Sequence, residues 1–251
     1  MIIQNLHRQA VALDRTAHKS TRLRLPLADW SIASRLNSIF IAAVEFGDAC
    51  KEYPLVFVHA GNDEQNKPLV APVAVFGLAP EENLFLQEAG WRAHYLPAVL
   101  RLYPFAMARV DADKFAICID AGWPGLSETE GEPLFAADGQ ITELTQNVQR
   151  QLEQFESEVQ RTRLVGSRLL ELQLLRDMRF DATLPDGQKL SVDGFLTVDE
   201  DKLKGLSDAT VVELERSGVL GLIHAHQISL GNMRRLAEWR LQRLQAAAPT
   251  S

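Results

Sequence analysis

Phe105-Ala106-Met107-Ala108-Arg109-Val110-Asp111-Ala112-Asp113-Lys114-Phe115-Ala116-Ile117-Cys118-Ile119 reads as two β-prone runs about a short polar turn. Asp111-Ala112-Asp113 suits a hairpin, so Phe105–Val110 and Lys114–Ile119 are expected to pair antiparallel. Upstream, Leu55–Val58 follows Pro54 as a strand. A loop from Gly61 to Lys67 leads to a second strand, Leu69–Leu78, and Asn83–Leu86 is a third. Ala93–Leu102 carries apolar residues at helical spacing, with Pro97 in the first turn, where a missing N–H costs nothing. Residues 37–139 therefore read as a small, mostly antiparallel sheet with one or two helices against it.

Downstream, residues 121–139 are rich in Gly and Pro and read as a boundary or a functional loop. Residues 140–176 follow with Ile141, Leu144, Val148, Leu152, Phe155, Val159, Thr162, Gly166 and Leu169 in steps of three and four. That is one face of a helix roughly 50 Å long. One small sheet is too short to cover it, so a partner helix is expected, here or in a homo-oligomer, most simply a dimer through the Ile141–Leu172 stripe or the last helix. Thr162 and Gly166 weaken the stripe and suggest a close helix crossing or a kink. Residues 178–198 read as a hairpin turning at Pro185-Asp186-Gly187-Gln188. Asp199 or Asp201 caps a short helix, Ser207-Asp208 precedes a helix over Ala209–Arg216, and a last helix runs from Val219 to Arg243. The fold class is α+β. Residues 1–36 form an N-terminal arm, 37–139 an α+β core, and 140–251 a helical part with a hairpin, either separate from the core or continuous with it.

The 251 residues are 46% hydrophobic and 24% charged, with a net charge of −7. This excludes a disordered chain, and the acidic balance gives no general attraction for nucleic acid. The N-terminus shows no apolar signal-peptide core, and no run approaches the ~20 apolar residues of a membrane span. A soluble cytoplasmic protein is expected. Cys50 and Cys118 lie in separate apolar segments and read as buried free thiols.

Nucleotide loops, a nucleophile elbow and zincin motifs are missing from the sequence, and neither metal nor cofactor is expected. His224 and His226 would point about 200° apart on a helix, so they cannot grip one ion. Leu222, His226, Leu230 and Met233 share a face, which makes His226 a core or interface residue.

The chain also carries, in order, Glu52-Tyr53-Pro54-Leu55-Val56-Phe57, Pro72-Val73-Ala74-Val75-Phe76-Gly77-Leu78, Tyr95-Leu96-Pro97-Ala98, Arg101-Leu102-Tyr103-Pro104-Phe105, Cys118-Ile119-Asp120 and Leu222-Ile223-His224-Ala225-His226. Together these segments resemble the SapC family of bacterial proteins. The resemblance covers nearly the whole chain in order. It implies an association with surface-layer loci and with outer-membrane uptake, and it supplies no catalytic residues. A non-catalytic accessory or binding protein is the first reading. It would act on a protein partner or a homodimer, or on a small anionic ligand. The alternative is a small-molecule or peptide-modifying enzyme with a dispersed site.

Glu45 and Arg101 focus both readings. Each charge sits inside an apolar run, where an unpaired buried ion costs several kcal/mol. Either each points to solvent from the edge of its element, or the two face one concave site with Tyr53, Tyr103 and Trp123 as aromatic walls. Asp120 completes the candidate ligand-binding set.

Overall fold

The computed structural model of the chain describes residues 1–26, 29–88, 90–111, 114–183 and 189–247. Its strands are β1 (Ala10–Ala12), β2 (Arg22–Leu23), β3 (Ser38–Phe40), β4 (Leu55–Asn62), β5 (Pro68–Val75), β6 (Leu86–Gln87), β7 (Gly90–Trp91), β8 (Phe105–Asp111), β9 (Lys114–Asp120), β10 (Leu126–Ser127), β11 (Glu132–Pro133), β12 (Leu175–Thr183) and β13 (Lys189–Val198). Its helices are α1 (Phe46–Ala49), α2 (Ala98–Leu102), α3 (Glu143–Glu171), α4 (Glu200–Lys204), α5 (Asp208–Arg216), α6 (Val219–Ser229) and α7 (Asn232–Ala247). The class is α+β, and every strand pairing among the described residues is antiparallel.

The main sheet has the order β12-β13-β4-β5-β3. Leu55, Val56 and Phe57 are all buried, as are Val73, Ala74 and Val75. Successive strand residues point to opposite faces, so burial without alternation means that both faces are covered here. The β12–β13 hairpin joins this sheet through Leu196 opposite Phe57. Its ladder slips between Met178 and Phe180, where β13 carries an extra residue and Gly194 takes φ 84°. This bulge interrupts the simple alternation read from the sequence. The turn expected at residues 185–188 lies outside the described residues, as do Ala112 and Asp113 of the other hairpin.

A second sheet, β1-β9-β8, contains the opening hairpin, with Phe105 opposite Ile119. The N-terminal segment is drawn into the core, with Leu6, Leu23, Ala33 and Leu36 all buried. β2 pairs with both β10 and β11, which stitches the Gly- and Pro-rich segment after residue 120 to it.

The long helix begins where Thr142 caps it, its side chain accepting from the N–H of Thr145. The stripe residues Leu152, Val159, Thr162, Gly166 and Leu169 are buried within the chain. They pack on β5, β8, the 3-10 turn Ala43–Glu45 and the short helix α2, with β5 the main neighbour. The expected close crossing at Gly166 is real, but the neighbour is a strand. A Cβ there would stand 2.8 Å from the carbonyl oxygen of Val70. With the stripe buried in this way, its argument for a homo-oligomer no longer applies.

Three expected elements change shape. The strand over Asn83–Leu86 shrinks to Leu86–Gln87, because Asn83 Oδ1 accepts from the N–H of Phe85 at 2.9 Å. That local turn competes with a ladder and drives Phe85 into an aromatic cluster with Tyr53, Phe76 and Trp91. The helix over Ala93–Leu102 starts only at Ala98, since Tyr95 gives its backbone groups to other partners. The last helix breaks into α6 and α7 around Gly231 and Asn232, both weak helix formers. Asn232 spends its side chain on the carbonyls of Cys50 and Tyr53, at 2.9 and 3.1 Å.

Candidate functional site

Glu45 closes the 3-10 turn Ala43–Glu45 and is 4% exposed. Its Oε2 accepts from the N–H of Ala42 at 2.8 Å. Its Oε1 accepts from the hydroxyl of Tyr95 at 2.8 Å and from the N–H of Ala98 at 2.7 Å. Three donors meet the cost of burying the carboxylate, and one of them is an otherwise orphaned donor at the start of α2. Glu45 therefore does not point to solvent.

Tyr95 is fixed from three sides. Its N–H donates to Glu52 Oε1 at 2.8 Å, its carbonyl accepts from the hydroxyl of Tyr53, and its own hydroxyl donates to Glu45. Burial pushes the Tyr95 phenol above its ordinary pKa, and the nearby Glu45 carboxylate pushes it further the same way.

Beside this bracket lies an open cleft of about 780 Å³ between α2, α3 and the Ala43–Glu45 turn. Glu45 and Arg101 both line it, so the structure brings these two sequence candidates together at one concavity. Val44, which is 69% exposed, joins Ala98, Leu102 and Phe155 as its apolar surface. Gln151, Gln154, Ser157, Glu158 and Arg161 of α3 supply the opposite polar wall. Glu158 and Arg161 are paired at 2.7 Å. Arg101 is exposed and lies over the Tyr95 ring, its guanidinium carbon 5.6 Å from the centroid. Among the described residues it has no carboxylate partner within ion-pair distance.

The other sequence candidates stand apart from the cleft. Tyr53 is fully buried, its hydroxyl donating to Tyr95 and accepting from Trp91 Nε1 at 2.8 Å. It braces the cleft from behind and is not an aromatic wall of it. Tyr103, Asp120 and Trp123 form a separate knot at the end of β9. The Tyr103 hydroxyl donates to Asp120 Oδ2 at 2.9 Å, and Trp123 meets the Tyr103 ring edge-on at 6.1 Å. Asp120 also accepts from the backbone N–H groups of Arg8, Gln9 and Gly122, at 3.2, 2.9 and 3.2 Å. With its oxygens taken by four donors, it fastens the N-terminal segment to β9.

His226 is buried on α6 and His224 is exposed, as the helical spacing predicted. Among the described residues, no cluster of three His, Cys, Asp or Glu side chains could hold a metal ion. Cys118 is a buried free thiol, whereas Cys50 is only half-buried. Among the described residues, no helix is long and apolar enough to cross a membrane.

Sequence reasoning overlooked the α3 wall. Gln151, Gln154, Glu158 and Arg161 are separated by three, four and three residues, a second stripe beside the apolar one. It was legible as a polar face, but polar faces of long helices ordinarily meet only water. Tyr95 belongs to Tyr95-Leu96-Pro97-Ala98, where no spacing or charge singles it out.

Neither a curated protein nor a solved structure matches the chain. A family model described as SapC matches residues 13–236, from the segment after β1 to the second turn of α7. That span contains the main sheet, β8 and β9 of the second sheet, the long helix and every residue of the cleft, and the chain belongs to the SapC family.

Proposed function

We propose that this SapC-family chain is a non-catalytic binding protein and that the cleft between α2 and α3 is its binding site. The observation that carries the reading is the state of Glu45, the most buried charge in the cleft. Three of its roughly four acceptor sites are taken by internal donors, two of them backbone, so it serves first as a bracket for the cleft wall and not as a free base. The same fact weighs against the enzyme alternative, in which Glu45 would be a general base. The volume of about 780 Å³ is that of a small-molecule site. The family's link to surface-layer and outer-membrane uptake loci supports an accessory role in such a system.

Native mass spectrometry tests this on protein incubated with a bacterial metabolite extract. The intact chain is expected to carry an added small-molecule mass. Ser157→Trp, which fills the exposed α3 side of the cleft, is expected to lose that mass and keep its melting temperature. Equal retention by both proteins, or none by either, overturns the reading. A chemically altered product replaces it with the enzyme alternative.

A further inference from the structure

We propose that the occupant of the cleft is an amphipathic organic monoanion, a carboxylate on an apolar body, with Arg101 as its anion-binding residue. This rests on the cleft being a binding site and adds the chemical class of its ligand. Among the described residues, four charged side chains line the cleft: Glu45, Glu158, Arg101 and Arg161. Glu45 is already held by three internal donors, and Glu158 and Arg161 are paired with each other. Arg101 remains, a guanidinium with a full set of donors, oriented by the face of Tyr95. Its planar fork fits a carboxylate bidentately.

The rest of the lining defines the body to which the anion is attached. Val44, Phe155 and Leu102 offer apolar contact next to Arg101, and the amides of Gln151 and Gln154 offer neutral donors. The two carboxylates at the same cleft select against a dianion, because a second negative charge would face Glu45 and Glu158 with no second unpaired cation. This separates an organic carboxylate from a free phosphate.

Tyr95 also links the ligand site to the bracket. Its ring lies under Arg101 and its hydroxyl is held by Glu45. Tyr95 is thus a positioning residue for Arg101.

Isothermal titration of the full chain with decanoate tests the proposal, with decan-1-ol, decylamine and inorganic phosphate as comparison probes, each below its aggregation threshold. Decanoate is expected to bind one site, at least about tenfold more tightly than the alcohol or the amine, and phosphate is expected not to bind. Arg101→Met should weaken decanoate by about tenfold without shifting the melting temperature, since the side chain is exposed. Glu158→Gln should strengthen it by freeing Arg161. If decanol or decylamine binds as tightly as decanoate, and Ser157→Trp abolishes it, the cleft is a binding site and the anionic occupant is wrong. If decanoate binds equally to the parent, Arg101→Met and Ser157→Trp proteins, the proposal fails. If no probe binds, the proposal fails, and the metabolite experiment then decides separately on the cleft.

Discussion

His226 Nδ1 and the carbonyl oxygen of Leu55 are 2.7 Å apart, joining α6 to the first residue of β4. On the other side of the ring, Nε2 accepts from the N–H of Val198 at 3.2 Å and lies 2.9 Å from the hydroxyl of Thr197. A backbone N–H can only donate, so the imidazole proton resides on Nδ1 and points to Leu55. Ser229, one turn further on, accepts from the N–H of Leu55 at 2.9 Å. Both backbone groups of Leu55 are thus taken by side chains of α6, and the histidine is a neutral clamp between β4 and β13.

Burial lowers the His226 pKa to about 4, from an ordinary value of 6.5. The folded state holds the neutral ring, while the unfolded chain takes up a proton as pH falls below 6.5. The clamp's contribution is complete above pH 6.5 and is lost progressively down to about pH 4, amounting to about 3 kcal/mol. His7 is also lowered by burial and adds in the same direction. Urea midpoints measured across this window should fall steeply with acid for the parent and less steeply for His226→Asn. Identical slopes would refute the assignment.

Gly166→Ala should destabilise the protein by about 1–2 kcal/mol, although alanine is the better helix former. The new methyl would press on the Val70 carbonyl, which belongs to a buried strand and cannot swing away. Thermal denaturation checks this, and a rise in melting temperature would show that the contact between α3 and β5 yields easily.

Glu45→Gln should cost about 2–3 kcal/mol, because an amide nitrogen cannot accept from the Ala42 N–H, or from the Tyr95 and Ala98 donors if it is flipped. Arg101→Met should change stability by less than about 0.5 kcal/mol. Chemical denaturation of the two variants separates a structural bracket from an exposed ligand contact. Equal losses would mean that Arg101 is also part of the bracket.

Asp120→Asn should release the N-terminal segment at a cost of about 2–3 kcal/mol, through poorer acceptance from Arg8, Gln9, Gly122 and Tyr103. Amide hydrogen exchange offers a local readout. The amides of Arg8 and Gln9 should lose protection, and unchanged protection would argue against the latch.

The strands at 55–58, 69–75 and 105–119 and the long helix were legible because their periods differ and their apolar runs are dense. What escaped were places where one side chain overrides a local tendency. Asn83 bends its own backbone, and Asn232 ends one helix and ties down the loop before β4. The convergence of Glu45 and Arg101 on one concavity was legible as one of two outcomes, since charges within apolar runs must find water or partners. Tyr53, Tyr103 and Trp123 were misplaced as cleft walls. An aromatic residue fills a core and lines a cleft with the same chemistry, and only the packing distinguishes the two.

The pairing of Leu196 with Phe57 closes the main sheet across a long stretch of chain. A ribosome must therefore release most of the polypeptide before β4 gains its second neighbour and α6 covers it. Until then β4 presents an open edge, with Leu55, Val56 and Phe57 uncovered on that side. Such distant pairing slows folding, because the intervening chain loses its freedom before the contact rewards it. The protein should accordingly depend on chaperones during synthesis more than its modest size suggests, and a pulse-labelled chain halted near residue 172 should partition into aggregates that the completed chain avoids.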